Sequence, residues 1–169
     1  MINEVTSRPA EREDLPEITA LAPAIWRDAY QDILSPEQIS YMLDMMYSPQ
    51  KLQKDLTAGV RFFLVCRQEK AVGFFAVFEL TDDRSCLKLD KLYLASAFHG
   101  LGIGSMILEY ITSRASDAGY SRIKLNVNKD NKRAIAAYSK NGFKKKESVK
   151  IDIGSGFFMD DYVMEKKLI

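Results

Sequence analysis

Residues 92–108 read LYLASAFHGLGIGSMIL. A run of strand-forming residues gives way to Gly100, Gly102 and Gly104 at alternate positions, and then to a run with helical spacing. The first-turn N–H groups of a helix have no intrahelical partner and lie at the positive end of its dipole, so they favour an anion. Glycines there let backbone approach a ligand and permit unusual φ angles. One glycine pair would be read as a tight strand-to-helix turn; three in alternation point to a phosphate. A nucleoside triphosphate loop requires a lysine after its last glycine, and Ser105 stands there. A dinucleotide loop wants G-x-G-x-x-G and an acidic residue roughly 20 positions on. The spacing here is G-x-G-x-G, and position 120 is Tyr120.

Outward from the loop, the sequence predicts an alternation of sheet and helix. Upstream, Arg61–Arg67 and Ala71–Leu80 are rich in aromatic and β-branched residues and form a hairpin, and Ser85–Leu94 is the next strand. Before these come a short strand near Asn3–Arg8 and three helices. The first is capped by Asp14, with Glu17 three residues on, and Pro23 should kink or split it. The second is capped by Ser35, with Pro36 in its first turn and Gln38 closing the box; the third follows Ser48-Pro49 and ends at Gly59. Downstream, Ile103, Met106, Ile107, Tyr110 and Ile111 trace one face of a helix that stops at Gly119. Arg122–Asn128 is a strand, Asn131–Asn141 a helix, and Phe143–Ile153 and Phe157–Leu168 a final strand pair around Gly-Ser-Gly. The expected fold class is α/β: a mixed central sheet of about seven strands with helices on both faces, antiparallel at first and parallel where helices cross over.

The 169 residues carry no repeat, low-complexity run or long linker, so residues 1–169 are expected to form a single domain. A net charge of +1 provides no global field for nucleic acid or an acidic membrane surface. Lys144-Lys145-Lys146 is read as protection of an edge strand or a contact for a phosphate of a bound cofactor. Cys66 and Cys86 fit no metal or redox spacing and are expected as buried free thiols; no metal site is expected. The start lacks the apolar core of a signal peptide, and no run approaches the roughly 18 apolar residues of a membrane helix, so a cytoplasmic protein is expected.

Two segments together carry a family resemblance. Leu92-Tyr93-Leu94, a short gap, and His99-Gly100-Leu101-Gly102-Ile103-Gly104 resemble the central motif of the GCN5-related N-acetyltransferase (GNAT) superfamily, a strand followed by [QR]-x-x-G-x-[GA]. His99 departs from the usual Gln or Arg. NKRAIAAYSKNGF (131–143) resembles that family's N-x-x-A-x-x-x-Y-x-x-x-G-F segment. The order and separation of the two segments match, and the element order agrees from about residue 3 to 168.

The resemblance implies an acetyl-CoA-dependent transfer to an amine. Backbone N–H groups of residues 100–105, from Gly100 through Leu101, Gly102, Ile103 and Gly104 to Ser105, would bind the coenzyme's diphosphate, with His99 a loop or phosphate-side contact. Leu92, Tyr93 and Leu94 would align the pantetheine arm like an added strand. Asn131 would contact that arm, and the Tyr138 hydroxyl would lie near the sulfur as general acid. Asp90 and Glu79 are the candidate bases, each also readable as a lone solvated strand carboxylate. For the acceptor, Trp26, Tyr30 and Tyr41 are candidates for an aromatic slot, with core packing the competing reading. Asp160 and Asp161 are candidates for an ammonium contact, or else solvated acids. The layout is loosely similar to bacterial polyamine and small-amine acetyltransferases. A protein N-terminus or lysine as acceptor, and a non-catalytic acyl-CoA sensor, are the alternatives. Nucleic acid and membrane are not expected partners, and the exposed C-terminal strands allow a homodimer without requiring one.

Overall fold

A computed structural model describes residues 4–168; the start of the expected first strand, at Asn3, lies outside the described residues. Seven strands and five helices follow the expected order. β1 (Val5–Pro9) leads through a 3-10 turn at Arg12–Asp14 to α1 (Leu15–Tyr30), α2 (Pro36–Tyr47) and α3 (Pro49–Thr57). β2 (Arg61–Arg67), β3 (Lys70–Glu79) and β4 (Cys86–Leu94) precede α4 (Ile103–Asp117). Then come β5 (Arg122–Asn128), α5 (Lys132–Lys140), β6 (Lys144–Gly154) and β7 (Phe157–Lys167). The strand order is β1-β2-β3-β4-β5-β7-β6. Pairing is antiparallel for β1/β2, β2/β3, β5/β7 and β6/β7, and parallel for β4/β5, where α4 makes the crossover.

The chain divides into two compact units, Met1–Phe78 with Lys91–Gly104 and Glu79–Asp90 with Ser105–Ile169. In the first, Ile18, Ala22 and Trp26 of α1, Leu52 of α3, and Phe62, Leu64, Val65, Phe74 and Phe75 of β2 and β3 are buried. Those two strands are apolar on both faces, as their unbroken hydrophobic runs require. In the second, β5 alternates buried Ile123, Leu125 and Val127 with half-buried Lys124, Asn126 and Asn128. Its core adds Ile107, Ile111, Phe143 and Met164.

Three local expectations are corrected. Asp14 precedes α1 but does not cap it with its side chain. Its carboxylate turns back to accept the Glu11 N–H at 2.8 Å and pairs with Arg8 at 2.9 Å, and Arg8 holds its pKa down at about 2. Pro23 does not split α1, which runs through it. Proline removes one N–H, and the buried stripe Ile18, Ala22, Ile25, Trp26 on both sides of it outweighs that loss. Asn131 stands outside α5 as its N-cap, its side chain accepting from the Ala134 N–H at 3.3 Å. Ser35 caps α2 as expected, and Ser48, at the start signal read for the third helix, caps α3. Cys66 and Cys86 are free and buried, and burial pushes the Cys86 thiol pKa up. Among the described residues no helix is long and apolar enough to cross a membrane, and no group of three or more His, Cys, Asp or Glu is placed to hold a metal.

Candidate active site

The end of β4 is held in place by β3. The register of β2 against β3 passes from Val65↔Gly73 to Cys66↔Ala71, so Val72 is bulged. The Val72 carbonyl accepts the Ala95 N–H at 2.9 Å. Beside it, a Cβ on Gly73 would sit 2.5 Å from the Tyr93 carbonyl oxygen and 3.2 Å from Leu94 Cα. Gly73 therefore permits an approach between β3 and β4 that no other residue allows. It was not singled out from sequence, although a glycine inside AVGFFAVF is a signal for such contact.

After β4 the chain makes a 3-10 turn at Ser96–Phe98. His99 Nε2 lies 2.7 Å from the Leu94 carbonyl. A carbonyl only accepts, so Nε2 carries the hydrogen and the ring clips the loop to the strand it leaves. The Ser96 hydroxyl donates to Asp28 of α1 at 2.9 Å, and the Arg67 guanidinium lies 5.7 Å from the centre of the Phe98 ring. Gly100 and Gly102 have φ of +75° and +80°, the left-handed region, so both are required by the backbone path. Gly104 is different: it lies in the first turn of α4, and an added Cβ would meet nothing within 4 Å. Neither strain nor crowding demands a glycine there, and open space lies beside the first turn of α4. Buried Ile103 anchors this turn, while Leu101 is exposed.

Tyr93 and Leu92 are half-buried on β4. The Tyr93 hydroxyl meets that of Tyr30 at 2.9 Å, and its ring packs at 5.4 Å from Trp26 and 5.8 Å from Phe74. Trp26 Nε1 donates to the Tyr47 hydroxyl at 3.1 Å. Trp26 is 1% exposed and Tyr30 7%, so both are packed in an aromatic core. Tyr41 is half-buried on α2.

In the second unit, Tyr138 is half-buried on α5, its ring edge-on to Phe143 at 5.7 Å. No residue of α5 is fully buried, and Ala134, Ile135 and Tyr138 form a half-covered stripe. Ser105, at the start of α4, accepts a hydrogen bond from Asn141 Nδ2 at 3.1 Å.

The four candidate carboxylates fall in different settings. Glu79 pairs with Arg84 at 2.8 Å and accepts from the Tyr120 hydroxyl at 3.3 Å. It sits near the first residue of β4, since Leu80 N–H bonds the Cys86 carbonyl; the glycine loop follows the last. Asp160 is half-exposed and pairs with Lys129 at 2.9 Å. Asp161 is not a solvated acid. It is 5% exposed and bonded to the Asn126 side chain. Burial pushes its carboxyl pKa up, against that bond and the charge of Lys88. Lys88 Nζ in turn donates to Asn126 Oδ1, and burial pushes its ammonium pKa down, with Asp90 and Asp161 opposing. Asp90 is half-buried beside this chain. Lys88 and Asn126 were missed from sequence; their signal was a pair of polar side chains in alternation with apolar ones on adjacent strands.

Comparison with known proteins places this arrangement. The family model described as "Acetyltransferase (GNAT) family" matches residues 23–143. A Mycobacterium bovis protein described as an uncharacterized N-acetyltransferase is 31% identical over 156 residues, 92% of this chain and 99% of its own. A spermidine N(1)-acetyltransferase of Thermoplasma acidophilum is 27% identical over 160 residues, 92% of each chain. Among solved structures, the PaiA N-acetyltransferase of Thermoplasma acidophilum in complex with coenzyme A superposes with a TM-score of 0.80 at 24% identity, covering 96% of this chain and 98% of that one.

Proposed function

The chain belongs to the GNAT acetyltransferase family and is an acetyl-CoA-dependent N-acetyltransferase; from that premise we propose that residues 1–169 act as one domain whose acceptor is a primary amine on a small molecule. The observation that carries the coenzyme side of this reading is the loop at α4: two glycines in left-handed conformation and a third with open space beside it. We assign the diphosphate to the backbone N–H groups of residues 100–105, and the pantetheine arm to Leu92, Tyr93, Leu94 and Asn131. The Leu94 carbonyl already accepts from His99, so His99 serves this site by holding the loop.

Acetyl-CoA supplies the acetyl carbon as a thioester, whose C–S bond breaks as a C–N bond forms to the acceptor. The amine must first lose a proton, because a primary amine has pKa near 10. Asp90 is the assigned acceptor of that proton, directly or through water. Tyr138 is the assigned donor to the departing sulfur, and the second proton that nitrogen sheds as the amide forms restores its hydroxyl. Glu79 is a weaker candidate, since it is engaged by Arg84 and Tyr120.

A small polyamine-like acceptor is favoured by the kinship to a spermidine acetyltransferase over 92% of the chain and by the half-buried Asp90 carboxylate, which suits an ammonium. The test is CoA release from acetyl-CoA across polyamines, simple amines, amino acids and peptides bearing a free N-terminus or lysine. Turnover is expected with polyamines or simple amines. Turnover confined to peptides would replace the acceptor class and leave the coenzyme side intact.

A further inference from the structure

Asn141 ends α5 with its side chain amide turned toward two acceptors. Nδ2 lies 2.8 Å from the Ala137 carbonyl and 3.1 Å from Ser105 Oγ. The Ala137 carbonyl can only accept, so it decides which end of the amide faces inward: nitrogen, with one hydrogen for each partner. Ser105 Oγ is consequently the acceptor in its bond with Asn141. A hydroxyl that accepts from one neighbour has its own hydrogen left to donate elsewhere, and among the described residues no protein atom takes it. Ser105 stands in the first turn of α4, next to Gly104 and the open space beside it.

We propose that Asn141 is a positioning residue for the coenzyme: by donating to Ser105 Oγ it turns the Ser105 hydrogen toward a phosphate oxygen at the mouth of α4. The inference rests on the coenzyme's diphosphate lying at that helix end. Its chemistry is ordinary. A hydroxyl polarised by an incoming hydrogen bond is a better donor, and a bond to an anionic oxygen is stronger than one to a neutral acceptor. Asn141 touches neither the coenzyme nor the acceptor. It acts through Ser105, and its bond to the Ala137 carbonyl ties that action to the C-terminal end of α5, the helix that carries Tyr138.

A double-mutant cycle with titration calorimetry of coenzyme A tests this. Ser105→Ala should weaken binding by about 10-fold, the effect of a hydrogen bond to a charged group. Asn141→Ala should weaken it by about 3-fold to 5-fold, since the hydroxyl persists but is no longer directed. The double variant should match Ser105→Ala alone, because Asn141 has nothing left to direct. In steady-state assays the KM for acetyl-CoA should rise while kcat holds, a split that a purely structural loss would not produce. Melting temperatures are read alongside. If Asn141→Ala fails to fold, Asn141→Leu, of similar size and without a donor, takes its place with the same expectation. Two independent losses that multiply in the double variant, or an Asn141→Ala protein that binds like wild type, would overturn the proposal. If Ser105→Ala and Gly104→Val both bind coenzyme A like wild type, the diphosphate lies elsewhere, and the underlying assignment fails rather than the role of Asn141 alone.

Discussion

Gly73→Ala is the most direct probe of how β3 sets the end of β4. The new Cβ would lie 2.5 Å from the Tyr93 carbonyl oxygen, 3.1 Å from Leu94 Cδ1 and 3.2 Å from Leu94 Cα. Ordinary van der Waals contact begins near 3.4 Å, so the strands must separate by up to about 0.9 Å at this point. Two of the three obstacles are backbone, which cannot rotate away as a side chain would. Overpacking of this kind costs about 1–3 kcal/mol. For a domain of this length each kcal/mol lowers Tm by about 2–4 °C, so a fall of about 2–12 °C is expected. The displaced residues are those assigned to the pantetheine arm, and a misplacement of about 1 Å can cost about 100-fold in rate. Calorimetric unfolding and kcat/KM for acetyl-CoA, measured on the same preparation, read both effects. Gly104→Ala is the control for the unfolding measurement alone: its Cβ meets no protein atom, its backbone is helical, and it should gain about 0.5–1 kcal/mol. A Gly73→Ala protein with wild-type Tm and wild-type kcat/KM would refute the idea that β3 holds the end of β4 in register for catalysis.

Other outcomes follow from the same geometry. Tyr138→Phe should lower kcat by about 10-fold or more with little change in KM for acetyl-CoA; an unchanged kcat removes Tyr138 as the acid. Gly104→Val should fold with nearly wild-type Tm yet lose most affinity for coenzyme A by calorimetry, because the side chain fills the space assigned to the diphosphate. Lys88→Met should destabilise the protein by about 1–3 kcal/mol in urea unfolding at pH 7, since it leaves Asn126 Oδ1 without its lysine donor and removes one of the positive charges near buried Asp161; Lys88→Met with Asp161→Leu should recover part of that loss. The Arg8–Asp14 pair acts in the acid range. Asp14 has a folded pKa of about 2, below its unfolded value, so its contribution is present above about pH 4 and lost as pH falls toward 2. Arg8→Ala should therefore unfold more readily than wild type at pH 5, and the gap should close by about pH 2; a gap independent of pH would show that packing, not charge, links these residues.

Much of this protein is legible in one dimension because its signals are local. Helical spacing marked α1, α2 and α4, alternation marked β4, composition marked β2 and β3, and serines at positions 35 and 48 marked helix starts because a cap needs only three consecutive peptide units. The glycine loop was legible for the same reason: Gly100 and Gly102 supply left-handed backbone that their immediate neighbours demand. Asp14 was misread because its partner Arg8 lies on another element, and a carboxylate goes to the cation it meets. Trp26 and Tyr30, candidates for a ligand slot, were resolved into core by partners more than twenty residues away in sequence, Tyr47 and Tyr93.

The rest depended on what three dimensions bring together. Sequence alone determined the element order, the two family segments and the character of the loop at α4, since each is written in residues a few positions apart. Tertiary structure alone decided that Gly73 must lack a side chain, that Asp161 is buried with Asn126 and Lys88, and that Asn141 reaches Ser105. Those facts are contacts between segments 20 to 73 residues apart, and hydrogen bonding, crowding and burial act over a few ångströms of space, whatever the distance along the chain.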